Sequence, residues 1–126
     1  MSQLAYHEQK DIENIQKLRA LIKELPPFCV DFFRGIEPRT SSRTRIAYAY
    51  DLHVFFDFLI RENPVFRDKE RTSIDLTTLE QLTLNDLEEY MEYLKYRFNG
   101  NNQEIVNKER GIMRKISSLK SFYNYF

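Results

Sequence analysis

Apolar side chains at Tyr48, Leu52, Phe55, Phe56 and Leu59 fall at i, i+4, i+7, i+8 and i+11, and this stripe constrains the chain more than any other feature. Residues so spaced share one side of an α-helix, and the stripe is wide enough to face a core. Ser41 or Ser42 supplies the cap at its start, and Asn63-Pro64 closes it after about Glu62. The same period recurs upstream. Ile12, Ile15, Leu18 and Ile22 mark a helix from about Glu8 to Leu25, which Pro26-Pro27 stops because neither residue donates a backbone hydrogen bond. A short helix from Phe28 to Arg34 follows. Gly35 is expected to end it in the left-handed cap conformation, with a loop around Pro38 from Glu37 to Thr40.

Downstream, Val65 to Leu82 reads as charged and turn-like, with one helical turn near Thr78 to Gln81. Thr83-Leu84-Asn85-Asp86 has the spacing of a capping box, with Asp where the longer Glu would reach better. The helix it starts is expected to bury Leu84, Leu87, Met91, Leu94 and Phe98, and Asn99-Gly100-Asn101-Asn102 breaks it. The last helix begins near Ile105 to Lys108. Its seam is Ile112, Ile116, Leu119, Tyr123 and Phe126, while Arg110, Arg114, Ser117, Ser121 and Asn124 lie opposite. No segment alternates in the manner of a strand, so the fold class is all-α, with four to five helices around one core. The length of 126 residues suits one domain, 1–126, in which 1–25 is an added N-terminal helix.

Composition narrows the function. No apolar run escapes charge for long enough to span a bilayer, and Met1 to Lys10 is polar, which excludes a secretory signal and points to the cytoplasm. Cys29 is the single cysteine, read as a buried hydrophobe in a reducing compartment. His7 and His53 lie far apart with no ligand at metal spacing, and Glu88-Glu89 reads as a solvated helix face rather than an acid/base pair. Neither metal, cofactor nor catalytic residue is expected. Net charge is zero, but it is unevenly divided. Residues 63–99 carry 8 acids against 5 bases, whereas residues 100–126 carry 5 bases against 2 acids, and Arg39, Arg43 and Arg45 precede any acid in their segment. If folding joins the two basic segments, a neutral chain presents a basic face.

Two places can carry chemistry. Arg39, Thr40, Ser41, Ser42, Arg43, Thr44 and Arg45 gather hydroxyls and guanidinium groups where a long helix begins, and helix N-termini attract phosphate. Arg110, Arg114, Ser117, Ser118 and Ser121 form a face on which short serines admit a DNA backbone and arginines reach phosphates or guanine edges. An ordinary capped helix start and a solvated polar face would look the same.

The run from Ser41 to Leu59 resembles the S-x-x-T-x-x-x-Y-x-x-D-L-x-x-F-x-x-F-L helix of tyrosine recombinases and phage integrases, with Ser41, Thr44, Tyr48, Asp51, Leu52, Phe55, Phe58 and Leu59 at its fixed positions. Leu82 to Leu94 is similar to that family's I-T-x-x-D-I-x-x-Y-L-x-x-L helix. Arg114 to Phe126 resembles its final basic run followed by L-S-x-L-R-x-F-Y-x-Y-L, departing at Ile116, Lys120 and Phe126. The Lys120 departure matters most, since lysine cannot repeat a bidentate arginine contact. The likeness covers about Leu25 to the C-terminus. It implies a SAM-like core-binding domain, an orthogonal helical bundle that clamps one side of duplex DNA for integration and recombination. A catalytic domain, absent from this sequence, would clamp the other side. The resemblance implies that Arg43, Thr44, Arg45, Arg110, Arg114, Lys115 and Ser118 face DNA, and the basic residues Arg39 and Lys120 with the cap Ser41 complete the expected set. Expected partners are duplex DNA, the parent's catalytic domain and other recombinase protomers in a synaptic complex. The chain itself is expected to cut nothing, Tyr123 and Tyr125 lying outside any catalytic motif. The competing reading is a helical protein-interaction domain, favoured by zero net charge and many aromatics.

Overall fold

A computed structural model describes residues 5–99 and 101–126. It is an all-α bundle: α1 (Tyr6–Lys23), α2 (Cys29–Ile36), α3 (Ser42–Glu62), the single turn α4 (Leu76–Leu79), α5 (Leu84–Lys95) and α6 (Glu109–Tyr125). Short 3₁₀ turns follow α2 (Glu37–Arg39) and precede α4 (Arg71–Ser73). One small antiparallel ribbon, β1 (Arg97–Phe98) with β2 (Glu104–Ile105), joins α5 to α6 in the register Arg97–Ile105 and Phe98–Glu104.

The long helix α3 is the axis of the fold. Leu52, Phe55, Phe56, Phe58 and Leu59 are all buried, and α1 and α6 pack along it. Both ends are held as the sequence requires. Ser41 Oγ accepts from Thr44 N at 3.1 Å, satisfying one free N–H of the first turn. At the other end, buried Asn63 accepts from Val65 N at 3.0 Å through its carbonyl and donates to Asp86 Oδ1 at 3.1 Å. Asp86 also closes the capping box of α5, its Oδ2 accepting from Thr83 N at 2.8 Å while Thr83 Oγ1 accepts from Asp86 N at 3.2 Å. The short aspartate therefore serves two helix ends at once.

Edge-on and tilted aromatic contacts fill the centre. Phe122 of α6 lies against Phe28, Phe32 and Phe56, and Tyr90 of α5 lies against Phe55 and Phe58. Arrangements of this kind contribute ~0.5–1.5 kcal/mol per pair beyond area burial. Outside the core, His53 links three elements: its Nε2 lies 2.9 Å from Leu21 O and its Nδ1 2.6 Å from Arg71 Nη1. Arg71 also pairs with Asp57 at 3.2 Å.

Several sequence expectations change, among them Ile12 and Phe126, which were placed on apolar stripes and are exposed. Gly35 does not cap α2; the helix runs through it to Ile36, and no glycine among the described residues has positive φ. Its bare Cα instead seats the Tyr125 ring, which a Cβ would strike. On α5 the buried residues are Tyr90 and Leu94, whereas Leu84, Met91 and Phe98 are exposed, because α5 ends at Lys95 and its core side is rotated by about one residue. The helical turn expected near Thr78 comes earlier, at Leu76–Leu79, where Asp75 caps it. The ribbon was not expected; two-residue strands are too short to show alternation.

Two outcomes follow from burial. The Tyr123 hydroxyl is buried without a hydrogen-bond partner among the described residues, and burial pushes its ionisation up to about 12. Since an unpaired buried hydroxyl is a net cost, Tyr123→Phe should leave stability unchanged or raise it by up to about 1 kcal/mol, read as the urea midpoint. Burial likewise pushes the Cys29 thiol from 9.0 to about 12. Both groups are held neutral in the folded state and ionise more readily once unfolded. Their contribution is therefore complete below pH 9 and is lost as pH rises toward 12, and helical circular dichroism should show weakening across that alkaline window.

Candidate nucleic-acid interface

Asp51 projects from the core side of α3 and is 3% exposed. Three residues along one edge of α6 converge on it. Arg114 Nη1 donates to Oδ2 at 2.7 Å, Ser118 Oγ donates to the same oxygen at 2.6 Å, and Lys115 Nζ donates to Oδ1 at 3.0 Å. They stand at i, i+1 and i+4, the offsets that place residues on adjoining ridges of a helix. A carboxylate buried alone would cost several kcal/mol, but this one has both oxygens occupied by charge-assisted bonds. With two cations to one anion, the cluster stays positive.

The cluster also fixes which expected residues look outward. Lys115 and Ser118 are buried and committed to Asp51. Arg45 is buried too; its Nη1 donates to Thr40 O at 2.6 Å and Glu37 O at 3.2 Å, tying the start of α3 to carbonyls after α2. These three were expected to face DNA, and the structure finds their side chains largely enclosed. Arg114 is different, because its side chain remains 53% exposed while one nitrogen holds Asp51. Its remaining donors are pre-positioned at the surface. Arg39, Ser41, Arg43, Thr44, Arg110 and Lys120 are exposed.

Helix geometry relates the two basic segments. Arg43 lies two turns before Asp51 on α3, ~12 Å along the axis and ~80° around it. Exposed Ala47 stands one turn from each. Arg43 and Asp51, which Arg114 grips, thus stand on adjoining sides of α3. The outer face of α6 adds Arg110, Ser117, Lys120 and Asn124, all exposed, with no acid after Glu109.

Sequence reasoning missed two acids. Asp51 matched a motif position, but nothing local said it would meet residues more than sixty positions away. The other is Asp11 of α1, which accepts from Ser42 Oγ at 2.5 Å and places a carboxylate beside the start of α3. That start is therefore less attractive to phosphate than the free helix end the sequence suggested. Among the described residues no cluster of His, Cys, Asp or Glu is arranged to hold a metal ion.

Comparison with known proteins supplies what geometry alone does not. The chain is 33% identical over 109 residues to tyrosine recombinase XerC of Caldanaerobacter subterraneus subsp. tengcongensis, covering 79% of this chain and 29% of that protein. It is 30% identical over 117 residues to tyrosine recombinase XerS of Lactococcus lactis subsp. cremoris and to XerS of Streptococcus pyogenes, in each case covering 90% of this chain and 32% of the relative. Over most of its length the chain is similar to tyrosine recombinases. It spans about a third of the length of these relatives. No family model and no solved structure matches it. No described helix is long and apolar enough to cross a membrane.

The Asp51 cluster makes a measurable claim. Asp51→Asn leaves buried Lys115 without its counter-charge and should lower unfolding free energy by about 3–5 kcal/mol in urea denaturation. Replacing the buried pair together, as Asp51→Leu with Lys115→Met, should recover most of that loss, because neither buried charge then remains.

Proposed function

We propose that this chain is the DNA-gripping module of a tyrosine recombinase, a single unit that holds one side of a duplex during site-specific recombination and integration. The observation that carries the reading is the Asp51 cluster, which fastens the outer basic face of α6 to α3 and leaves Arg114 half exposed. Arg39, Arg43, Arg110, Arg114 and Lys120 serve as phosphate ligands, with Ser41 and Thr44 at the exposed cap. Arg45, Lys115 and Ser118 act from within, as the framework that aims the others. Positive charge held on rigid helices costs little side-chain ordering at the moment of contact. Strand cutting and rejoining belong to the portion of such recombinases that this chain does not span. That portion and further recombinase protomers are the natural partners alongside DNA.

The relatives are named for recombination, and that origin, together with an acid-free outer face on α6, weighs against a purely protein-binding role. A phosphate interface releases counterions, so binding should depend steeply on salt. With about four phosphates engaged at once, log K should fall against log salt with a slope of roughly −3.6, and non-specific Kd should sit near ~1–100 μM at physiological salt. Arg43→Ala should weaken binding to every duplex and flatten the slope by about one unit. Fluorescence anisotropy on short duplexes measures both. Affinity that is flat across salt, with Arg43→Ala and Arg110→Ala silent, would remove the DNA reading.

A further inference from the structure

A groove of about 530 Å³ lies between α1 and α2, with Arg45 from the start of α3 also in its lining. Ile15, Leu18, Ile22 and Phe33 line its floor. Its walls carry exposed Arg19, Lys23 and Arg34 against one acid, Glu37. Apolar clefts with a few charged groups at the rim accept amphipathic helices, and the sign of this rim calls for an acidic one.

The chain carries such a helix. On α5, Leu84 is 73% exposed and Met91 39% exposed, and their i, i+7 spacing puts them on one side, at the border of the face that buries Leu94. Glu88 lies between them, and Glu92 and Glu89 continue the same exposed arc, with Lys95 as the one cation. Exposed apolar residues set among like charges are the pattern of an amphipathic anchor, and nothing in the fold covers them.

We propose that α5 of one copy docks in the α1–α2 groove of a second copy, with Leu84 and Met91 on the apolar floor and Glu88 and Glu92 facing Arg19 and Arg34. The two patches are different surfaces of the same molecule, so the contact is head-to-tail: every copy donates a helix and offers a groove. Contacts of that type close into rings or run on as open chains. A helix the length of α5 is ~18 Å long and buries less than ~1,200 Å² in such a groove, the range of transient assembly. The inference deepens the protomer-assembly part of the function proposed above and rests on it.

The test uses the full chain without DNA, at low salt and up to about 1 mM, by sedimentation velocity and by amide chemical shifts. The expected result is association that rises with concentration, with shifts confined to α5 and to the α1–α2 groove. Arg19→Glu with Arg34→Glu in one chain, and Glu88→Lys with Glu92→Lys in another, should each weaken self-association about tenfold or more, through like-charge contact. Mixing the two variants should restore it, because each reversed patch then meets its complement. Leu84→Ser should weaken association with no change of charge. A chain that stays monomeric to 1 mM would overturn the proposal. So would association through another surface, or two variants that fail to recover on mixing; association elsewhere would still leave protomer assembly intact. Far-UV circular dichroism of each variant confirms that these exposed substitutions leave the fold in place. The DNA salt slope of the same variants should not change, so a failure of the DNA reading is recorded separately.

Discussion

A single buried carboxylate organises this molecule. Asp51 accepts from Arg114, Lys115 and Ser118, and through them it sets where α6 crosses α3 and how α6 is rotated about its own axis. Apolar packing alone would fix that rotation loosely, since the aromatic side chains around Phe122 offer several edge-on arrangements of similar energy. Charged hydrogen bonds tolerate much less error in angle and distance. Core and surface are therefore coupled: the bonds that register the helices also decide which arginine reaches solvent.

Around that point the fold uses polar residues sparingly and to several ends. Asp86 caps its own helix while receiving Asn63 from the end of α3. Arg45 satisfies carbonyls after α2. His53 joins α1, α3 and the turn at Arg71–Ser73. Each is a short hub between elements that hydrophobic contacts hold together in bulk. This division of labour is how a small helical chain with a single cysteine reaches a defined arrangement without an internal disulfide.

Much of this was legible in the sequence, and the limits have physical causes. The bounds and caps of α3 follow from local rules, Ser41 at one end and Asn63-Pro64 at the other, and the structure keeps both. The error on α5 arose because Leu84, Met91 and Phe98 share hydrophobicity with the true core residues, while Tyr90, which reads as amphipathic, is enclosed alongside Leu94. Gly35 looked like a helix stop because its permissive backbone is visible locally, whereas the ring that needs its missing Cβ comes from Tyr125 at the far end of the chain. Arg45, Lys115 and Ser118 looked like surface residues for the same reason. Charge in a sequence does not declare its partner, and partners here lie far apart along the chain.

That separation has a consequence for how the protein acquires its exposed basic face. Asp51 and Lys115 are 64 residues apart, so their bond closes a loop of about half the chain. Closing so long a loop costs entropy before any contact repays it, and such contacts belong to the later events of folding. Helices α1 to α3 lie near one another in sequence and can collapse early. The bond from Arg114 to Asp51 cannot exist until α6 has been made and docked. During synthesis, a nascent chain would already be helical while still lacking the arrangement of charge that distinguishes the finished molecule.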